Sequence, residues 1–223
     1  MTVGQAPYAS RPTDAAPGPR ASRRGRRAAK RLLDVVAAAA LLVLTAPLLG
    51  LAALAIRTRM GAPVLFAQRR LGLGGREFAL YKLRTMRPAP EGPWDPSRDR
   101  DRLTPLGATL RRWSIDELPQ LWNVLRGEMS LVGPRPLPVE YGPRYSATQR
   151  RRHLVRPGIT GWAQINGRNA TSWRERLAHD VWYVDHWSLA LDLRILAATA
   201  RTVLGGAGVS RGGGVAMPEF RGE

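Results

Sequence analysis

Asp116 and Glu117 stand side by side in the segment Trp113-Ser114-Ile115-Asp116-Glu117-Leu118-Pro119-Gln120-Leu121-Trp122-Asn123-Val124. An ionised carboxylate can attack phosphorus and form an acyl phosphate. A neighbouring carboxylate can hold Mg²⁺, a hard ion that binds oxygen and often bridges to substrate phosphates. Arginines stabilise the charge that develops in phosphoryl transfer, and Arg111, Arg112 and Arg135 lie close by in sequence. Arg135 is set between Pro134 and Pro136, which stiffen its backbone. These residue types in this order suit metal-assisted chemistry on a phosphorylated substrate.

The same residues have a plainer reading. Ser114 followed three residues later by Glu117 is a capping-box signature, and Asp116 in a first helical turn complements the helix dipole. On that reading the helix runs from Ile115 to Gly127, with Ile115, Leu118, Leu121, Trp122 and Leu125 on one face. A helix N-terminus at Asp116 would also favour its ionised form.

The elements that must position these residues surround them. The chain has 223 residues, 44% of them hydrophobic, enough for one domain with a core and accessory segments. Its net charge of +18 points to nucleic acid, anionic lipid or phosphate-bearing substrate as partners. With no cysteine, a disulfide framework and a thiolate metal site are excluded. Residues 1–28 are Pro-, Ala-, Gly-, Ser- and Arg-rich without apolar periodicity and read as a disordered basic tail. Its cluster Arg23, Arg24, Arg26 and Arg27, continued by Lys30 and Arg31, would be drawn to anionic lipid by about 1 kcal/mol per basic residue.

Val35 to Ile56 is almost unbroken hydrocarbon, about 33 Å as a helix, which matches a bilayer core. It is too long and begins too far in for a secretory signal, although Ala53-Leu54-Ala55 resembles a cleavage site. Pro47 predicts a kink in its middle. Arginines flank both ends, so the positive-inside rule favours neither. A spanning helix and a re-entrant one, bent at Pro47 with Thr45 bonding a freed carbonyl, are both open on the residues alone.

Residues 63–68 and 77–83 read as two strands joined by a turn at Gly72, Gly74 and Gly75. Residues 87–103 read as a loop, 134–144 as largely irregular, 148–153 as a short helix and 156–162 as a turn-rich loop. A helix starts after Ser172, with Glu175 completing a capping box, and a last helix covers about 189–204 before a Gly-rich tail.

Read together, the motifs identify a resemblance. Lys30-Arg31-Leu32-Leu33-Asp34, Pro47 in its apolar helix, Pro63-Val64-Leu65-Phe66 and Gln68-Arg69 come first. Tyr81-Lys82-Leu83-Arg84-Thr85-Met86, Asp116-Glu117-Leu118-Pro119-Gln120 and Met129-Ser130-Leu131-Val132-Gly133-Pro134-Arg135-Pro136 follow. Arg156-Pro157-Gly158-Ile159-Thr160-Gly161-Trp162-Ala163-Gln164 and Asn166-Gly167-Arg168-Asn169 complete the set. The chain from Lys30 to Val209 resembles the monotopic bacterial sugar transferases, the polyprenol-phosphate phosphoglycosyl transferases. The stretch from Glu140 to Trp173 is most similar to the small single-domain branch that includes the diacetylbacillosamine-phosphate transferases.

The resemblance implies an α+β, mainly helical fold. A re-entrant membrane helix at 29–58, a small β-hairpin and amphipathic interfacial helices would surround one catalytic domain at 59–205, with a flexible tail at 206–223. It implies transfer of a sugar-1-phosphate, tilted toward an N-acetylated aminosugar, from a UDP-sugar to undecaprenyl phosphate with release of UMP. Asp116 would be the nucleophile and Glu117 a Mg²⁺ ligand, with Lys82, Arg111 and Arg135 on phosphate or nucleotide. The protein would lie on the cytoplasmic face of the inner membrane, seated in part by Trp162, Trp173, Trp182 and Trp187, with no nucleic-acid partner. A nucleic-acid-binding protein would fit the charge but leaves the apolar segment and the Asp-Glu pair without a role. A non-catalytic membrane scaffold is the other alternative, in which Asp116→Asn would be silent.

If Pro47 sets a re-entrant turn, Pro47→Ala shifts part of the population to a spanning topology. Cysteine-accessibility labelling on both sides of the membrane reads this, and unchanged sidedness removes the idea.

Overall fold

A computed structural model describes residues 20–88, 99–166, 171–205 and 219–222. The first part of the basic tail, most of the loop around Pro90, the Gly167-Arg168-Asn169 motif and most of the Gly-rich tail lie outside the described residues. The rest is mainly helical with two small pairs of strands.

Helix α1 spans Arg20–Met60, beginning inside the segment expected to be a tail. Arg and Ala are strong helix formers, and Gly25 alone does not stop them. The helical assignment runs unbroken through Pro47. Its apolar stretch is long enough to cross a membrane, and only 11% of that window is buried in the protein, so it is not a core helix. Val43 and Leu44 are 77% and 76% exposed. Thr45 Oγ1 donates to Leu41 O at 2.7 Å, four residues back, and not to Val43 O, the carbonyl whose amide partner Pro47 removes.

One side of α1 is fastened to the domain. Lys30 Nζ meets Asp192 Oδ2 at 2.6 Å, Arg31 donates to Val124 O and Leu125 O, and the buried Asp34 carboxylate accepts from Leu131 N at 3.1 Å. Further on, Ala52 and Ile56 pack with Leu83 and Leu110. Two of the basic residues expected at lipid, Lys30 and Arg31, are therefore occupied by the protein itself.

β1 (Leu65–Leu71) and β2 (Glu77–Leu83) form an antiparallel hairpin, Leu65 opposite Leu83 and Leu71 opposite Glu77. Gly74 and Gly75 take φ of +65° and +75° in the connecting 3-10 turn, where a side chain would be strained. Beyond β2, Met86 bridges to Leu103 just after the short α2 (Asp99–Arg102), so the end of the expected loop is ordered. α3 (Pro105–Arg112) is capped by Thr104, whose hydroxyl accepts from Gly107 N. α4 (Gln120–Arg126) ends at Gly127 with φ +83°, as its sequence predicts. Asn123, fully buried, donates to Ala79 O at 2.7 Å and accepts from Tyr81 N at 3.2 Å, so its amide pairs with the edge of β2 and locks α4 to it.

β3 (Ser130–Val132) pairs in parallel with β4 (Gly158–Thr160), a strand the prolines and glycines of its loop concealed. The two backbones lie so close that a Cβ on Gly133 would run into Arg156 O and Gly158 N. Val139–Arg144, expected to be irregular, is a 3-10 helix that tolerates Pro143. α5 (Ala147–Arg150) continues as a 3-10 turn to Leu154, and α6 (Trp162–Ile165) follows β4. α7 (Trp173–His186) has the predicted capping box of Ser172 and Glu175, and α8 is Leu189–Leu204.

The main core gathers Phe78, Leu80, Leu121, Val124, Met129, Leu131, Tyr183 and Ile195 from β2, α4, β3, α7 and α8. A second cluster joins Tyr141, Tyr145 and Leu177 to Phe220, which is 2% exposed. Near the end of the expected flexible tail, Arg144 donates to Phe220 O and pairs with Glu219, so these residues are anchored.

Arg152 and Asp180, both side chains 2% exposed, pair at 2.7 Å. Asp180→Ala strands a buried guanidinium and should cost about 3–5 kcal/mol. Asp185→Ala, at the exposed pair with Arg151, should cost less than about 1 kcal/mol. Denaturant unfolding of both variants in detergent checks the contrast.

Candidate active site

The Asp116-Glu117 pair does not open an α-helix. α3 ends at Arg112, Ser114 turns left-handed at φ 55°, and Ile115–Glu117 forms a 3-10 turn before Pro119 and α4. Ser114 makes no side-chain cap bond, so the capping box suggested by Ser114 and Glu117 is not formed. Glu117 is engaged elsewhere. Its Oε1 receives Lys82 Nζ at 2.7 Å and Arg135 Nη2 at 2.6 Å, and Oε2 lies 3.5 Å from Arg135 Nη1. Two charge-assisted tertiary bonds outweigh one local cap. β2 delivers Lys82, the 3-10 turn Glu117, and the Pro134–Pro136 turn after β3 delivers Arg135.

Asp116 is 6% exposed. Its carboxyl is pushed above the usual aspartate range, first by burial and then by the negative charge of Glu117, against the opposing pull of Lys82, Arg111 and Arg135. Asp116 is therefore not the readily ionised group that a helix N-terminus would make it: α4 starts four residues later, and burial dominates. Burial pushes Glu117 the same way, but Arg135 and then Lys82 hold its carboxyl well below the glutamate range. The two neighbours are separated in the manner of paired carboxylates given different tasks.

Of the two arginines ending α3, Arg111 turns toward the site. Its Nε donates to Thr85 Oγ1 at 3.0 Å, and its charge acts on Asp116. Arg112 instead lies over the Trp113 ring at 5.9 Å. Lys82, Arg111, Asp116, Glu117 and Arg135, chosen from sequence, therefore belong to one cluster. Pro47 does not; it lies exposed in α1.

Three residues that sequence reasoning missed hold Arg135 in place. Arg70 Nη1 reaches Pro136 O at 3.4 Å, and Arg152 Nη2 donates to Arg135 O at 2.5 Å while Asp180 fixes the Arg152 guanidinium. Burial, then the charge of Arg135, lowers Arg70 to about 10. Arg70 lies opposite Phe78 across the hairpin, but in the sequence of β1 it alternates with Gln68 against Leu65, Ala67 and Leu71, which masks its place inside. Arg152 and Asp180 are 28 residues apart on different elements and gave no signal.

A magnesium ion suits this donor set in kind. The charge of Glu117 adds to burial in raising Asp116, and a divalent cation bound here would offset that charge; Mg²⁺ is usually held by one or two carboxylates with substrate phosphates and water. Among the described residues no third acidic or histidine side chain joins them.

The family model for bacterial sugar transferases matches residues 25–206. The chain belongs to that family. It is 50% identical over 193 residues to the uncharacterised sugar transferase EpsL of Bacillus subtilis, covering 86% of this chain and 96% of that one. A UDP-glucose:undecaprenyl-phosphate glucose-1-phosphate transferase of Caulobacter vibrioides is 50% identical over 185 residues, 78% of this chain and 69% of that protein. A UDP-N-acetylgalactosamine-undecaprenyl-phosphate N-acetylgalactosaminephosphotransferase of Aeromonas hydrophila is 40% identical over 187 residues, 80% of this chain but 44% of that longer protein. In this sugar transferase Lys82 and Arg135 both pair with Glu117, and their charges, with that of Arg111, act on Asp116.

Glu117→Gln leaves Lys82 and Arg135 without their shared anion and should destabilise the protein by about 3–5 kcal/mol at neutral pH. Because the folded value of Glu117 is depressed, its contribution is present above the unfolded value of about 4.3 and is lost as pH falls toward the folded one. Wild type and variant should therefore converge in acid. Thermal unfolding in detergent at neutral and acid pH reads both effects.

Proposed function

We propose that this sugar transferase moves a sugar-1-phosphate from a UDP-sugar to undecaprenyl phosphate, with Asp116 as the nucleophile. The observation that supports this most is a nearly buried aspartate beside a carboxylate that already gathers Lys82 and Arg135. The names borne by its relatives agree with the reaction class.

An Asp116 carboxylate oxygen attacks the sugar-bearing phosphorus. The bond from that phosphorus to the bridging oxygen breaks, and UMP leaves with the electron pair. An oxygen of the lipid phosphate then attacks the same phosphorus, the bond to Asp116 breaks, and the ionised carboxylate is restored. Lys82, Arg111 and Arg135 bind the donor's phosphates, and Arg135 enters from a backbone held by Arg70 and Arg152. Glu117 orients Lys82 and Arg135 and is the proposed magnesium ligand. When bound, the ion would neutralise diphosphate charge.

The donor proposed is an N-acetylated aminosugar, on the resemblance to the small branch. Galactose and glucose are the competitors, and the product would begin an exopolysaccharide, capsule, O-antigen or glycoprotein glycan. The proposed location is the cytoplasmic face of the inner membrane, with anionic lipid against the basic N-terminal segment. α1 is proposed to be re-entrant. Lys30 and Met60 would be about 45 Å apart on a straight helix, yet both arms dock on one small body. Arg31 holds α4, α4 is locked to β2 through Asn123, and Arg84 just past β2 holds Met60 O. The most exposed apolar residues, Val43 and Leu44, lie between the arms.

UMP release is the test, using detergent-solubilised protein with Mg²⁺, undecaprenyl phosphate and a panel of UDP-sugars. One sugar should support release, Asp116→Asn should abolish it, and intact mass without acceptor should show the phosphosugar adduct. Activity should fall as pH drops through a value above the ordinary aspartate range, since attack needs ionised Asp116. Release without an adduct, undiminished in Asp116→Asn, would remove the covalent step.

A further inference from the structure

A cavity of 370 Å³ lies beyond the end of β2, and none of Lys82, Arg111, Asp116, Glu117 or Arg135 lines it. Its walls are Arg59 and Met60 from the end of α1, Arg84, Arg87 and Pro88 beyond β2, and the start of α3. Three of these residues are arginines, and among the described lining residues there is no carboxylate. Guanidiniums gathered around a cavity form a site for an anion.

The walls are fixed by bonds of their own. Met86 bridges to Leu103, Arg87 N donates to Arg102 O at 2.9 Å, and Thr104 N donates to Thr85 O at 3.2 Å. Arg84, 8% exposed, points its two terminal nitrogens at Met60 O, Gly61 O and Ala62 O. It covers the negative end of α1 and keeps that end from repelling an anion. Its Nε is buried without a partner, an unspent donor in a protein interior where donors are usually satisfied. Thr104, Pro105 and Leu106 add the N-terminal turn of α3, where the cap and Pro105 leave Leu106 N as the amide to offer and the helix dipole favours negative charge.

The remaining lining is apolar: Met60, Pro88, Pro105 and Leu106. Arginines beside apolar side chains suit a phosphate carried on hydrocarbon better than a free ion. The position agrees, because the cavity opens where the membrane-length helix ends. We propose that this pocket binds the phosphate group of a membrane lipid, gripped by Arg59 and Arg87 with the charge of Arg84 beneath them, where α1 leaves the bilayer. The lipid is either a bulk anionic phospholipid or the polyprenyl phosphate waiting to react. The second source rests on the proposed function; the first does not.

The test is lipid retention by the full chain in detergent, read by native mass spectrometry, with phosphatidylglycerol, undecaprenyl phosphate and phosphatidylcholine offered separately. The variant is Arg59→Gln/Arg87→Gln, which leaves the Arg84 cap on α1 in place. Loss of two charge-assisted contacts should weaken retention at least about tenfold. Loss confined to phosphatidylglycerol identifies a bulk-lipid site. Loss of undecaprenyl phosphate, with a raised KM for that acceptor and an unchanged KM for the donor, identifies an acceptor site. Equal retention by wild type and variant, or wild type holding phosphatidylcholine as well as the anionic lipids, overturns the proposal. If wild type releases no UMP from any sugar, the function falls while the retention result still decides the pocket.

Discussion

One carboxylate organises the centre of this protein. Glu117 is the common counter-ion of Lys82 and Arg135, which arrive from a strand and from a proline-bounded turn. Two buried cations brought together without it would repel and remain unsolvated. The constraint has a cost for its neighbour. Asp116 must share the same enclosure next to a negative charge that the cations have already claimed, and its carboxyl is consequently less acidic than a free one. Ready ionisation at Asp116 is given up so that the cations stand ready.

The scaffold supports this arrangement by holding backbone rather than the charged groups themselves. Asn123 spends its amide on the β2 edge, so the helix after the 3-10 turn cannot drift from the strand bearing Lys82. Arg70 and Arg152 grip the carbonyls of Pro136 and Arg135, and the close passage of Gly133 against β4 fixes the approach to that turn. Tyr145 stacks on Phe220 and lies beside Arg152, so the C-terminal anchor touches the same support.

What could be read from the residues was what local physics decides. The capping box at Ser172, the stop at Gly127, the hairpin and the last helix each depend on neighbours in sequence, and the structure has them. The chemistry-bearing residues were also legible, because the motifs around them are dense. The failures share one cause. Ser114 and Glu117 have the spacing of a cap, yet distant cations took the carboxylate. The β4 segment reads as a turn because its glycines are there for close approach to β3, not for bending. Arg152 and Asp180 look like ordinary surface charges until folding buries both.

The fastening of α1 bears on the order of assembly. The bond from Asp34 reaches a residue 97 positions later, and that from Lys30 one 162 positions later. During synthesis the helix exists long before any group that will hold it. Contacts so distant in sequence are slow to form, and an apolar segment waiting in water would aggregate. Lipid is the solvent that can hold it in the interval. With the helix in lipid first, the catalytic body would condense onto it there, and membrane entry and folding would be successive stages of one process.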